Sequence, residues 1–264
     1  MRVGTRLSGV VRCTRLAFFT AFIFALEAGW PLPLYAQDDA RANRVIERLQ
    51  QGRPAIGTFT RTSRPDLDFA VIDAQYGRFD INAIRQAVVA MRSDTGAPAV
   101  APIVRIPYEA RDAPQAVVEQ CLDAGASGVM FPDIETKEQA MTAISSMRVG
   151  RSRDVWPLDP SGSLIAMLQI ESLTGIENLD EILDVPGIGA IFVGPTDLAE
   201  SAGEDSPNSP GVEALVQEVL QACLAKDVPC GYPIVAPTRE VAERETERRL
   251  SEGFTVLAVM TVAR

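Results

Sequence analysis

Leu164-Ile165-Ala166-Met167-Leu168-Gln169-Ile170-Glu171 and, further on, Ala190-Ile191-Phe192-Val193-Gly194-Pro195-Thr196-Asp197 decide the fold of this chain. Each is a short apolar run followed within a few residues by an acid. Leu164 to Ile170 and Ala190 to Val193, bounded by Gly and Ser, read as strands of a parallel sheet covered on both faces. Glu171 and Asp197 then stand at strand mouths. In a (β/α)8 barrel that is the face where chemistry is done, and a Glu and an Asp there can share one hard divalent cation through oxygen. Either acid alone would serve as well as a helix N-cap or a solvated loop charge. The pair, in matching context, points to a site.

Working outward, the same pattern recurs. Apolar runs at Ala55–Thr58, Phe69–Ile72, Val100–Val104, Gly128–Phe131, Cys230–Val235 and Thr255–Val259 bring the expected strands to eight. Between most of them lie amphipathic segments: Ile81–Met91, Ala113–Asp123, Thr136–Met147, Leu179–Leu183, Val212–Lys226 and Arg239–Ser251. A further helix, Asp38 to Gln51, with Ala42, Val45, Ile46 and Leu49 on one face, precedes the first strand. This alternation predicts an α/β fold, a (β/α)8 TIM barrel with a leading N-terminal helix. Phe59 to Asp68 is short for a parallel crossover, so the first outer helix is expected to be one turn or absent. No helix is expected after the last strand. An open doubly wound sheet fits the same turn residues.

The first residues have the order of a secretory signal peptide: Arg2, Arg6, Arg12 and Arg15, the apolar run Leu16 to Leu26, then a Pro-containing stretch ending Leu34-Tyr35-Ala36. The run is short for a bilayer span, which takes roughly 20 residues, although a retained anchor is the other reading. The expected division is therefore 1–36 signal peptide and 37–264 a single barrel domain, exported to the periplasm or secreted. With 35 acidic against 25 basic residues and a formal charge of -10, the chain is a poor candidate for nucleic acid or an anionic membrane surface. It has no histidine, so no Cys/His metal site exists. Cys121 and Cys223 lie in apolar helical patterns and read as small core residues.

In a barrel, residues at strand ends share one mouth although they are far apart in sequence. Asp73, Arg105, Pro132, Asp133, Glu171 and Gly194 to Asp197 are such residues. Arg105 offers a fixed charge and a planar donor fork suited to a carboxylate or a developing enolate oxygen. A structural salt bridge to Asp73 would explain it equally. Gly194 and Pro195 are expected to form a tight turn that brings backbone N–H groups near an anionic ligand.

Five stretches together resemble one family: Phe69-Ala70-Val71-Ile72-Asp73, Val104-Arg105-Ile106-Pro107, Leu122-Asp123-Ala124-Gly125-Ala126-Ser127-Gly128, Gln169-Ile170-Glu171 and Val193-Gly194-Pro195-Thr196-Asp197-Leu198. The chain from about Gly52 to Val259 is similar to the metal-dependent class II pyruvate aldolases, grouped with the 4-hydroxy-2-oxoheptanedioate aldolases and the citrate lyase beta subunit. The resemblance implies that Glu171 and Asp197 hold a divalent metal, Mg, Mn or Co. It implies that Arg105 steadies a pyruvate enolate and that Gln169 lines the same pocket.

The sequence also departs from that family. Where relatives read Asp-x-Glu-His-Gly, this chain reads Asp73-Ala74-Gln75-Tyr76-Gly77. The family's His works with an Asp, matching Asp123, in proton transfer. Tyr76 takes its place, and with an ordinary pKa of about 10 it is a poor base at neutral pH unless its surroundings shift it. A metal-bound water is the other candidate base. Val149 to Gly162 lacks the family's Tyr-Pro-Pro-x-Gly-x-Arg-Gly stretch, so substrate specificity does not carry over. Relatives often exchange a C-terminal helix between subunits; without one, the usual homo-oligomer is open. The expected activity is a carbon–carbon lyase acting on a small-molecule 2-oxo acid. The alternative is an exported, non-catalytic 2-oxo acid or dicarboxylate binding protein.

Overall fold

Inward and outward side chains alternate along the long strands, and the parallel sheet they form closes on itself. The computed structural model describes residues 43–64, 66–76, 79–92, 99–148 and 155–262. The signal-peptide segment, and the start of the leading helix at Asp38 to Ala42, lie outside the described residues. In chain order the elements are α1 (Arg44–Gln50), β1 (Ala55–Phe59), β2 (Phe69–Asp73), α2 (Ile81–Ala90), β3 (Ala101–Arg105), α3 (Gln115–Asp123), β4 (Gly128–Phe131), α4 (Lys137–Ser146), β5 (Val155–Trp156) and β6 (Leu164–Ile170). They continue with α5 (Leu173–Glu177), α6 (Leu179–Leu183), β7 (Ala190–Val193), α7 (Pro195–Ser201), α8 (Pro210–Ala225), β8 (Cys230–Ala236), α9 (Arg239–Glu252) and β9 (Val256–Thr261). All strand pairings are parallel, in the order β4-β3-β2-β1-β9-β8-β7-β6, and β4 pairs with β6 to close an eight-stranded barrel. The expected TIM barrel is present, and the open sheet is excluded. Strand β5, which the sequence reading did not contain, adds two residues alongside the start of β6.

Two apolar layers result. Outward-facing residues such as Ile72, Val104, Val129, Leu168 and Val193 pack under the helices. Inward-facing Ala55, Phe69, Val71, Ile103, Met130, Ile165, Met167, Phe192 and Val256 fill the barrel. Large and small residues alternate around the inside: a Cβ at Gly57 would lie 2.5 Å from the Phe69 ring. Helix α1 stoppers the N-terminal end. Its Val45 and Ile46 are fully buried in the inner cluster, and the cap residue Asn43 donates to the carbonyls of Ser127 and Ser163 at 2.9 and 3.1 Å, beside the starts of β4 and β6.

The crossover from β1 to β2 carries no helix among its described residues, as expected from its length. Four of the outer helices start at side-chain caps: Asp80 for α2, Thr136 in a capping box with Gln139 for α4, Ser209 for α8 and Thr238 for α9. Because the barrel is closed and all-parallel, the loops that leave the C-terminal strand ends open onto one mouth. No described helix is long and apolar enough to cross a membrane.

Candidate active site

The top layer of inward-facing residues is chemically different from the layers below. Phe59, Asp73, Arg105, Gln169, Glu171 and Gly194 close the barrel interior, and with Tyr76, Pro195, Thr196 and Asp197 they line a cavity of about 780 Å³ at the C-terminal mouth. The sequence-derived candidates Tyr76, Arg105, Gln169, Glu171, Gly194, Pro195 and Asp197 are therefore brought together. Asp123 is not. It is the last residue of α3, from which the chain turns through Ser127, bonded to the Pro102 carbonyl, into the start of β4. That places it at the opposite, N-terminal face, so within one chain it cannot partner a group at position 76.

Glu171 is 3 % exposed, and both its oxygens are held: Oε1 accepts the Asp133 N–H at 2.9 Å and Oε2 accepts from Gln169 Nε2 at 2.9 Å. Burial first, and the nearby Asp197 second, push its pKa up to about 8, with Arg105 opposing. Gly194 makes room for it: a Cβ there would lie 2.1 Å from Glu171 Oε2. Gly194 and Pro195 do not form the expected tight turn. Pro195 opens helix α7 at its first position, and the Gly194 N–H is bonded to the Ile170 carbonyl at 3.1 Å, so it is not offered to a ligand. The consequence is that Asp197 projects from the first turn of α7 into the cavity that Glu171 lines.

Across the mouth, Arg105 grips Asp73 bidentately through Nε at 3.0 Å and Nη2 at 2.7 Å. Its guanidinium lies 5.0 Å from the centre of the Phe59 ring and 5.4 Å from that of Tyr76. The salt bridge expected as the bland reading exists, yet it leaves Nη1 unengaged by Asp73 inside the cavity wall. The Tyr76 side is open, with that residue 67 % exposed. Its pKa is raised above the ordinary 10, by burial first and then by Asp197. The phenol stays protonated at neutral pH.

The donor set suits a hard cation. Glu171 and Asp197 face one cavity, the buried Glu171 is held back from ionising by burial first and by Asp197 second, and the Arg105 guanidinium is shared with Asp73. Gln169 Oε1 is buried without a partner. Among the described residues no group of three or more His, Cys, Asp or Glu side chains is assembled to hold an ion, so two carboxylates would leave the remaining positions to water or ligand oxygen. The sequence reading missed two residues: Phe59 at the end of β1, which lines the mouth, and Arg111, which lies behind it and holds the Asp133 loop. Phe59 follows the inward alternation of its strand and was readable there; Arg111 lies in an irregular loop with no pattern.

Fold and site together define an acid-lined (β/α)8 barrel of the kind that works at its C-terminal mouth. Residues 61–258 match the HpcH/HpaI aldolase/citrate lyase family, and the chain belongs to it. It is 27% identical over 248 residues to a 5-keto-4-deoxy-D-glucarate aldolase of Citrobacter koseri, covering 84% of this chain and 91% of that one. It is 27% identical over 223 residues to a 2-keto-3-deoxy-L-rhamnonate aldolase of Escherichia coli, covering 74% and 80%. Among solved structures, an HpcH/HpaI aldolase/citrate lyase family protein from Burkholderia cenocepacia superposes with a TM-score of 0.66 at 24% identity, covering 83% of this chain and 93% of that one.

Proposed function

We propose that this chain is a divalent-metal-dependent carbon–carbon lyase that splits a 4-hydroxy-2-oxo acid into pyruvate and an aldehyde. The observation that carries this reading is the pair Glu171 and Asp197 in one cavity, the first buried and held by two hydrogen bonds, opposite the Arg105 guanidinium. The matched relatives are a 5-keto-4-deoxy-D-glucarate aldolase and a 2-keto-3-deoxy-L-rhamnonate aldolase, which supports a keto-deoxy acid as substrate. Glu171 and Asp197 would hold the ion, which when bound polarises the 2-oxo group as a Lewis acid.

The chain's own groups divide the remaining work. Arg105, fixed by Asp73, directs Nη1 at the oxygen on which enolate charge develops as the C3–C4 bond breaks. Gln169 Oε1 accepts a hydrogen bond from substrate hydroxyl or bound water. Protonated Tyr76 donates a hydrogen bond at the rim. The proton released from the 4-hydroxyl leaves to solvent through the open mouth, and the enolate regains a proton at C3 to give pyruvate.

A second reading has a specific observation behind it. Tyr76 stands where relatives carry a histidine, and its surroundings move it away from acting as a base. A protein that binds a 2-oxo acid or dicarboxylate without turnover fits that observation. The basic and apolar order of residues 1–36 supports export to the periplasm or outside the cell for either reading. Pyruvate release from 4-hydroxy-2-oxo acids with Mg, Mn or Co, lost in Glu171→Gln and on chelation, is the result expected of the lyase. Calorimetric binding of metal and pyruvate with no release would select the binding protein.

A further inference from the structure

We infer that Arg111 is a positioning residue for the cation-facing carboxylate, acting on Glu171 through the backbone of Asp133; this rests on the reading of Glu171 and Asp197 as the metal pair. Arg111 does not line the cavity and does not touch Glu171. It follows the helical turn Tyr108–Ala110 and stacks 5.0 Å from the centre of the Tyr108 ring. Its side chain is 14% exposed, and its Nη1 donates to the Asp133 carbonyl at 3.1 Å, to the Asp133 carboxylate, and to Glu135 Oε2 at 3.2 Å.

That grip matters because of the backbone it holds. Asp133 has φ of +47°, in the left-handed region that side chains other than glycine enter at a cost. In this conformation its N–H points at Glu171 Oε1 and the next N–H, of Ile134, at the Gln169 carbonyl, both at 2.9 Å. Glu135 is tied on the other side, its Oε1 accepting from Ser172 Oγ at 2.9 Å and its carbonyl from Asn178 Nδ2 at 2.8 Å. Loss of the Arg111 contacts would let residue 133 relax to negative φ, swing its N–H off Glu171, and free the carboxylate to turn. Partners of this kind that orient a metal-binding group are typically worth about 10- to 100-fold in metal affinity.

A double-mutant cycle read by calorimetric Mn(II) affinity of the metal-stripped protein tests this, with melting of the metal-free variants alongside. Arg111→Met is expected to weaken Mn(II) about 10- to 100-fold. Asp133→Gly keeps the N–H and adopts positive φ without strain, so in that background Arg111→Met should cost less than about 3-fold, a non-additivity that only coupling between the two positions produces. If Arg111→Met does not fold, Arg111→Gln is read in the same way. An Arg111 variant that binds Mn(II) like the wild type, or one that loses equally in both backgrounds, overturns the inference. Wild-type protein that binds no Mn(II) overturns the metal-pair reading, and the inference with it.

Discussion

Glu171 is a carboxyl group that the fold holds where a charge is costly. Its pKa is pushed up to about 8, by burial first and Asp197 second. The folded, metal-free protein therefore binds this proton more tightly than the unfolded chain does. Stability from this group is complete below about pH 4.5, falls as the pH rises toward 8, and is flat above that. In chelator, denaturant-measured stability should drop across that window by up to about 5 kcal/mol, at 1.36 kcal/mol per unit, and Glu171→Gln should abolish most of the drop. A wild-type curve as flat as the variant's would remove the buried-carboxylate picture. Tyr76, with its pKa above 10, should not act as the base. Tyr76→Phe is expected to lower kcat/KM less than about 10-fold, below the roughly 100- to 10,000-fold of a general acid–base group, with the pH profile unmoved. Glu171, Asp197, Arg105 and Gln169 were legible because each lies at or just past the end of an apolar strand. The place of Asp123 was not legible, because a motif match carries no position in the fold; the residue ends a helix at the far face of its own chain. Arg111 left no trace, since an irregular loop carries no period.

At the scale of elements, the approach of β7 to β6 is what brings the two acids together. Gly194, the residue between β7 and α7, sets its Cα against Glu171, where a Cβ would meet Oε2 at 2.1 Å and the Glu171 Cβ at 2.7 Å. Gly194→Ala should therefore displace the carboxylate, weaken metal at least 10-fold, and cost roughly 1–3 kcal/mol of stability as an overpacking change. Calorimetry and denaturant unfolding of the same sample check both; unaltered metal affinity would mean that the carboxylate's position is not set here. The strands were readable to within a residue or two because their burial on both faces makes them continuous apolar runs. Helix α7 was not, because Gly-Pro signals a turn and a helix start with equal force. Strand β5, of two residues, is below the length at which a pattern exists.

Across the whole molecule, stability and chemistry lie at opposite ends of the barrel. The N-terminal end is stoppered by α1, whose Ile46 is fully buried among the inner side chains. Ile46→Ala should cost about 3 kcal/mol, within the range for large-to-small core changes, while leaving metal affinity at the distant mouth unchanged. A variant that lost metal binding in proportion to stability would argue against that separation. The barrel was legible from eight strands alternating with helices. The stopper was not, because an amphipathic helix before the first strand shows that one face is buried without showing against what.

The measurement that bears most directly on the lyase reading does not require the acceptor aldehyde to be known. Pyruvate is incubated with the protein and Mn(II) or Mg(II) in D2O, and loss of its methyl protons is followed by NMR after metal removal. Formation of an enolate at Arg105 and the acid pair should exchange those protons far faster than metal and buffer alone, and Glu171→Gln or Arg105→Met should bring the rate back to that background. Exchange no faster than the background, in protein shown by calorimetry to bind both metal and pyruvate, would contradict the lyase and leave a ligand-binding barrel.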